Sequence, residues 1–400
     1  MSLTIIQQPS KFSPAYNPLM FVSSGTNNTQ TNYKYIFDVF FSGASAYTFR
    51  TKVLPRPDGY GLFDASPIVR DYVGSNIAIQ ISPNEGFKKN SKSYQEFSVQ
   101  FGEEYGSPFV DYPNLASSGV IYAFNGVFDF LDFSTFNTDT YVIQKGKVRN
   151  FLTNIPRANA TVIGSSENAW LYMQTDTINA INVLNINTND GGLFQITNPY
   201  NLLASEDERF LRIPCGTKNL NLTGQTIITA NTTSYTLVIK DDSGITSTTE
   251  TFSFKVQDPC TPYTLYRLHW LNKLGGFDSF TFSRLSQKLT DITRPMFKKS
   301  SGSVTNKGWS YNNYDRGENN YHNTFKDKLV LNSDFITEAQ ATWLKELMTS
   351  PVVYLDDATY GLVAVNITDG SYESFQKTKD KLFNLVINLV YSQDNSVQQL

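Results

Sequence analysis

Chemistry in this chain must come from few groups. His269 and His322 are the only two histidines. Either would need a carboxylate or nucleophile held within hydrogen-bond reach to act as a base. The sequence holds no nucleophile elbow, no His-Glu-x-x-His and no phosphate-binding glycine loop. Carboxylates are grouped as Glu103-Glu104, Asp129 with Asp132, and Glu206-Asp207-Glu208. A glycosidase needs only two such groups, but the same residues read as solvated turns or sheet faces. Asp241 and Asp242 have the look of calcium ligands, yet the EF-hand spacing is absent and turn chemistry accounts for them. Cys215 and Cys260 each follow a proline. Two cysteines make neither a disulfide scaffold nor a four-ligand zinc site. They either bridge the ends of one sandwich or stand as separate structural thiols. The expectation is a protein with no catalytic residue, no metal and no cofactor.

The elements around these groups read as strands. Charged residues make up 17% of the 400-residue chain and aromatics 14%, with 29 Phe and 23 Tyr, a mixture that favours strands and polar turns over helices. The formal charge of −3 gives no reason to expect nucleic acid, and Lys88-Lys89 and Lys298-Lys299 are too short to form a phosphate-binding surface. No window approaches a membrane span of ~20 apolar residues, and the N-terminus lacks the basic segment of a secretory signal. A soluble chain made in a cytoplasm is expected.

Three domains are expected. Residues 1–155 read as an N-terminal β-sandwich: Tyr33–Phe41 and the alternating Phe97, Val99 and Phe101 are strands, Ser66-Pro67 is a helix start with Ser66 as N-cap, and Asn125-Gly126 is a turn within Val120–Phe133. In that last segment Phe128, Phe130 and Phe133 beside Asp129 and Asp132 invite comparison with a sugar-binding platform; a core or interface strand is the preferred reading. Residues 156–262 read as a second sandwich of immunoglobulin or fibronectin type, with short strands around Asn189-Asp190-Gly191-Gly192 and a hairpin about Asp241–Gly244. Residues 263–400 read as an α+β assembly domain with one short helix, Thr337–Met348, capped by Thr337 and Gln340 and with Ala339, Trp343 and Leu347 on one face. Its closing strand, Lys381–Tyr391, is apolar on both faces, which fits a central strand or one covered by a neighbouring subunit.

The C-terminal domain opens on the most informative stretch. Tyr266, Leu268 and Trp270 alternate with Arg267 and His269, Asn272 to Gly276 supplies a turn, and Phe280 and Phe282 resume the alternation. This is a hairpin with an aromatic inner face, its motif residues being Trp270, Asn272, Gly275, Gly276, Phe277 and Asp278. Further on, Ser300–Asn323 is polar and punctuated by Trp309, Tyr311, Tyr314 and Tyr321. It reads as a long exposed loop or protruding hairpin suited to a subunit contact. Phe383 and Leu385 join these four as candidate interface residues.

The Leu268–Phe282 hairpin resembles a segment of virion proteins (tail, ring or baseplate components) of tailed phages infecting Bacteroidota. Phe151–Pro156, the opening Ile5–Pro18 and the C-terminal Trp343–Leu355 resemble the same group. The resemblance implies a virion structural protein, assembled in the bacterial host cytoplasm into the tail as a ring or collar-like layer of several copies. Its partners would be further copies and neighbouring tail, ring or portal proteins, with no nucleic acid or membrane. The alternative is a receptor- or carbohydrate-binding tail protein stacking exposed Tyr and Trp on sugar rings; a polysaccharide-degrading enzyme is the third reading.

Overall fold

Alternating apolar runs with few charges produce a mainly β protein whose sheets face one another in open sandwiches. The computed structural model describes residues 3–74, 86–90, 92–175, 180–200, 209–258, 262–320, 322–369, 383–393 and 395–396. These fall into two compact units, Met1–Asp258 with Leu271–Asp278, and Pro259–Trp270 with Ser279–Leu400.

In the first unit a three-stranded sheet (Leu3–Gln7, Met20–Gly25, Gly61–Asp64) accompanies a six-stranded one. The latter runs Phe12–Pro14, Ile121–Phe124, Tyr94–Tyr105, Lys34–Phe41, Phe49–Val53, with Val110–Ser117 also on Tyr94–Tyr105. Their common core is aromatic: Phe21 meets Phe101 edge-on at 5.9 Å and Phe37 stacks on Phe63 at 5.1 Å, the geometries that ring quadrupoles favour. Two more sheets follow. One has Val142–Ile143, Trp170–Thr175, Phe210–Pro214 and Lys88–Lys89; the other has Thr161–Ile163, Phe252–Val256, Ser234–Lys240, Val183–Thr188 and Leu193–Thr197. Tyr235 stacks on Phe254 at 5.0 Å within the second. The turn at Asn189–Gly192 joins Val183–Thr188 to Leu193–Thr197, with Gly191 at φ +91°, as its glycines require.

The helix start at Ser66 is corrected. The single turn Ser66–Val69 is preceded by Ala65 as N-cap, and the Asp64 carboxylate takes the Ser66 N–H at 2.9 Å. The carboxylate one residue upstream of the cap does what the Ser66 hydroxyl was expected to do.

The second unit is built on an eight-stranded sheet in the order Phe277–Phe282, Tyr266–Leu271, Val353–Asp357, Gly361–Ile367, Phe383–Tyr391, Thr324–Ile336, Gln287–Thr293, with Asn395–Ser396 also on Thr324–Ile336. The helix Glu338–Thr349 carries the expected capping box, in which Gln340 N–H donates to Thr337 and Thr337 N–H to the Gln340 amide oxygen at 2.9 Å. Trp343, Leu344 and Leu347 are buried, and Trp343 lies 5.1 Å from the Trp270 ring. Ala339 is exposed and Ala341 and Glu346 are buried instead, so the packed face is rotated from the expected one.

Candidate interaction surface

The hairpin tip Leu271–Asp278 belongs to the first unit, where Asn272 organises it. The Asn272 amide oxygen accepts the N–H groups of Leu274 at 3.0 Å and Gly276 at 2.9 Å, which closes the turn. Its amide nitrogen donates to the Asp278 carboxylate and to the Leu152 carbonyl, both at 3.0 Å. All four bonds are buried, and a buried amide with its capacity filled fixes one conformation. Gly275 sits at φ +84°, and a Cβ there would stand 2.6 Å from the Asn125 carbonyl oxygen. Gly276 is glycine for another reason: a Cβ would stand 2.8 Å from the Tyr172 ring. Phe277 is buried 6.5 Å from that same ring.

Three of the segments singled out in the sequence meet here. Asn272 holds Leu152 of Phe151–Pro156. Lys273 accepts the Val127 N–H on its carbonyl at 2.9 Å and pairs its Nζ with Asp129 at 2.8 Å. From the other side Asn17, of Ile5–Pro18, exchanges two hydrogen bonds with the Phe128 backbone at 2.7 and 2.9 Å. These clamps hold the base of a single helical turn, Phe130–Phe133, none of whose residues is buried. Phe130 is 90% exposed and Leu131 79%. The chain bends at Asn125, where the Gly126 N–H donates to the Phe124 carbonyl at 2.7 Å, but the expected strand at Phe128–Phe133 is corrected: beyond the Ile121–Phe124 strand the chain forms an apolar knob. Phe128 turns inward against Phe136 at 4.2 Å, so the aromatics share no flat platform.

In the second unit the Gln287–Thr293 and Thr324–Ile336 strands extend into a β-arm. Met296–Lys298 pairs with Glu318–Asn320, and Ser303–Thr305 pairs with Gly308–Ser310. Every residue of the three strands from Met296 to Ser310 is exposed. Trp309 lies 5.2 Å from the Tyr311 ring, with its indole N–H on the Ser301 carbonyl at 3.0 Å. Tyr314 and Val304 are each 81% exposed. Among the sequence candidates, Trp309, Tyr311 and Tyr314 thus share one exposed arm, while Tyr321 lies outside the described residues. Leu385 is buried in the unit's own core. Phe383 opens the same strand, and its side chain lies outside the description. On the opposite face Asn384 and Val386 are exposed.

Among the described residues, several of the groups first weighed for chemistry make structural contacts. Glu103 is fully buried and accepts hydrogen bonds from the Tyr33 hydroxyl and the Asn27 amide, each at 2.9 Å. Burial, and then that carboxylate, push the Tyr33 phenol up. Glu104, the next residue and so on the other face of its strand, pairs with Lys52 and with Lys34. The Lys52 ammonium foremost, with Lys34, holds its carboxyl down at about 2. Glu206, Asp207 and Glu208 lie outside the described residues. Asp241 closes an Asx turn on Ser243, whose hydroxyl above all lowers its pKa, while Asp242 pairs with Lys145 at 2.7 Å. His269, expected on a polar face, has no exposed surface and sits 3.6 Å from the Asp356 carboxylate. Cys215 is buried, and Cys260 lies outside the described residues. Among the described residues no group of three or more His, Cys, Asp or Glu is placed to hold a metal ion, and no helix is long and apolar enough to cross a membrane. A depression of about 280 Å³ bounded by Arg157, Asn159, Thr161, Thr251 and Ser253 has no carboxylate or imidazole in its wall.

No family model matches the chain, and no curated protein matches it. Among solved structures, the D0-D1 domain of Intimin is similar over 64% of this chain and 98% of that one, at 5% identity and a TM-score of 0.15. A likeness that slight carries no argument.

Proposed function

We propose that this protein is a structural component of a bacteriophage virion, a tail ring, collar or baseplate-type protein that works by assembling in several copies. The observation that carries the proposal is the β-arm. A two-stranded ribbon with no core behind it is at best marginally stable in water, and apolar side chains such as Met296, Val304 and Trp309 gain nothing by remaining there. Such an arm is explained by a protein surface that covers it. The resemblance of the Leu268–Phe282 hairpin to phage tail proteins supplies the setting, and repetition about an axis turns many modest contacts into a stable layer.

The test is to purify the particles and identify their proteins by mass spectrometry after washing at high salt. A virion component co-purifies at a fixed multiple of a known particle protein, and absence from washed particles refutes the proposal. The neighbouring rings of Trp309 and Tyr311 favour one second reading, a glycan-binding tail protein that stacks sugars on them. Saturable binding of the isolated chain on a glycan array, lost in Trp309→Ala, would replace the first reading with the second.

A further inference from the structure

Two exposed surfaces of this chain are opposite in charge and alike in being apolar. The arm, residues 294–323, holds five Lys or Arg (Arg294, Lys298, Lys299, Lys307, Arg316) against Asp315 and Glu318, a net of +3. The whole chain carries −3, so the rest carries −6. Arg294, Lys299, Lys307 and Arg316 are all exposed. The knob lies at the other extreme. No Lys or Arg occurs between Lys92 and Lys145, and the knob segment holds Asp129, Asp132 and Asp139; Asp129 is paired with Lys273, which leaves Asp132 and Asp139 as its exposed charges. They lie on the same segment of chain as Phe130 and Leu131, two adjacent apolar residues that are 90% and 79% exposed.

We propose that the basic aromatic arm of one copy docks on the acidic Phe130–Leu131 knob of the next. The proposal rests on the multi-copy assembly reading and names the surfaces that make it. The knob has a rigid base, because Asn17 and the hairpin tip hold it from both sides, so the ordering cost of docking falls mainly on the arm. Trp309, Tyr311 and Val304 provide apolar area for Phe130 and Leu131 to bury. The lysines and arginines beside them meet the knob carboxylates, which fixes register and excludes arm-to-arm and knob-to-knob pairing by like-charge repulsion. Because the two surfaces differ, the contact is head-to-tail, and repeating it generates a ring or a filament rather than a closed pair.

The test uses the full chain in sedimentation velocity over a dilution series, with two charge-reversed variants. One is Lys299→Glu/Lys307→Glu/Arg316→Glu in the arm; the other is Asp132→Lys/Asp139→Lys in the knob. All five side chains are exposed, so the fold survives, as circular dichroism checks. Each variant alone should self-associate at least about tenfold more weakly than the wild type. An equimolar mixture should associate again, since each acidic arm then finds a basic knob and each basic arm an acidic one. Unchanged self-association in both variants overturns the docking while leaving assembly through other surfaces intact. A mixture that stays dissociated overturns it too. So does a wild type that remains monomeric at every soluble concentration, in which case the particle composition described above still decides the assembly reading. If arm reversal abolishes DNA binding but leaves self-association untouched, the arm serves nucleic acid and the proposal fails.

Discussion

The side-chain amide of Asn272 lies 3.0 Å from the carbonyl oxygen of Leu152, a buried hydrogen bond between positions 120 residues apart. The same nitrogen reaches Asp278 and the same amide's oxygen closes the turn, so one residue joins the hairpin tip to the first unit. Replacing it strands several buried partners at once. Asn272→Ala should destabilise the first unit by about 2–3 kcal/mol. Asn272→Asp should do more harm, because it sets a second carboxylate against Asp278. Thermal unfolding followed by hydrogen exchange at Leu152 and Asp278 reads both.

The glycines of this chain differ in what surrounds them. Gly275→Ala meets a positive φ and the Asn125 carbonyl together, and should cost about 2–4 kcal/mol. Gly244→Ala has a similar φ, +67°, with nothing within 4 Å, and should cost only about 1 kcal/mol. Equal costs in a denaturation series would show that the close approach at the tip is unimportant.

Acid should loosen the first unit partly through Glu104. Its carboxyl is held at about 2 in the folded chain, against roughly 4.3 when unfolded. A depressed carboxylate contributes stability above the unfolded pKa and loses it as pH falls toward the folded one. Stability of the wild type should therefore drop between about pH 4.3 and 2 more steeply than that of Glu104→Gln. At pH 7 the variant should be weaker by about 1 kcal/mol, a modest figure because Lys34 and Lys52 are partly solvated.

Trp343 anchors the helix of the second unit, 5.1 Å from Trp270 and edge-on to Phe280 at 6.2 Å. Trp343→Ala should cost about 3–5 kcal/mol and quench the change in tryptophan fluorescence that accompanies unfolding of that unit. A loss under 1 kcal/mol would mean the helix is not part of the unit's core.

The arm should be dispensable for folding. Lys298 and Glu318 face each other across the ribbon, so replacing Lys299–Gly317 with Asn-Gly closes a two-residue hairpin. The second unit's melting transition should stay within about 0.5 kcal/mol of the original, while self-association falls as in the arm-reversed variant.

What the sequence revealed followed the range of the interactions involved. Local signals were legible: the Thr337–Gln340 box, the turn at Asn272–Gly276 and the alternation of Phe97, Val99 and Phe101. Contacts between distant residues were not. Alternation put His269 on a wet face, but its strand lies inside an eight-stranded sheet and both faces are covered. Two-sided hydrophobicity in Lys381–Tyr391 fitted either a central strand or a covered one; the strand lies inside the sheet and Leu385 is buried in its own core. The Phe128–Phe133 run has the composition of a buried strand, but Asn17 and Lys273 bind the backbone at Phe128 and Val127, and Phe130 and Leu131 face outward. The arm was visible as a polar stretch punctuated by aromatics, the knob was not, and their opposite charges gained meaning once both proved exposed.

The most direct measurement is cryo-electron microscopy of the intact particle. Several copies of this chain should stand around the tail axis, with Met296–Tyr314 covered by an adjacent protein in every copy. Copies whose arms stand in open solvent, or a particle in which this chain has no place, would contradict it.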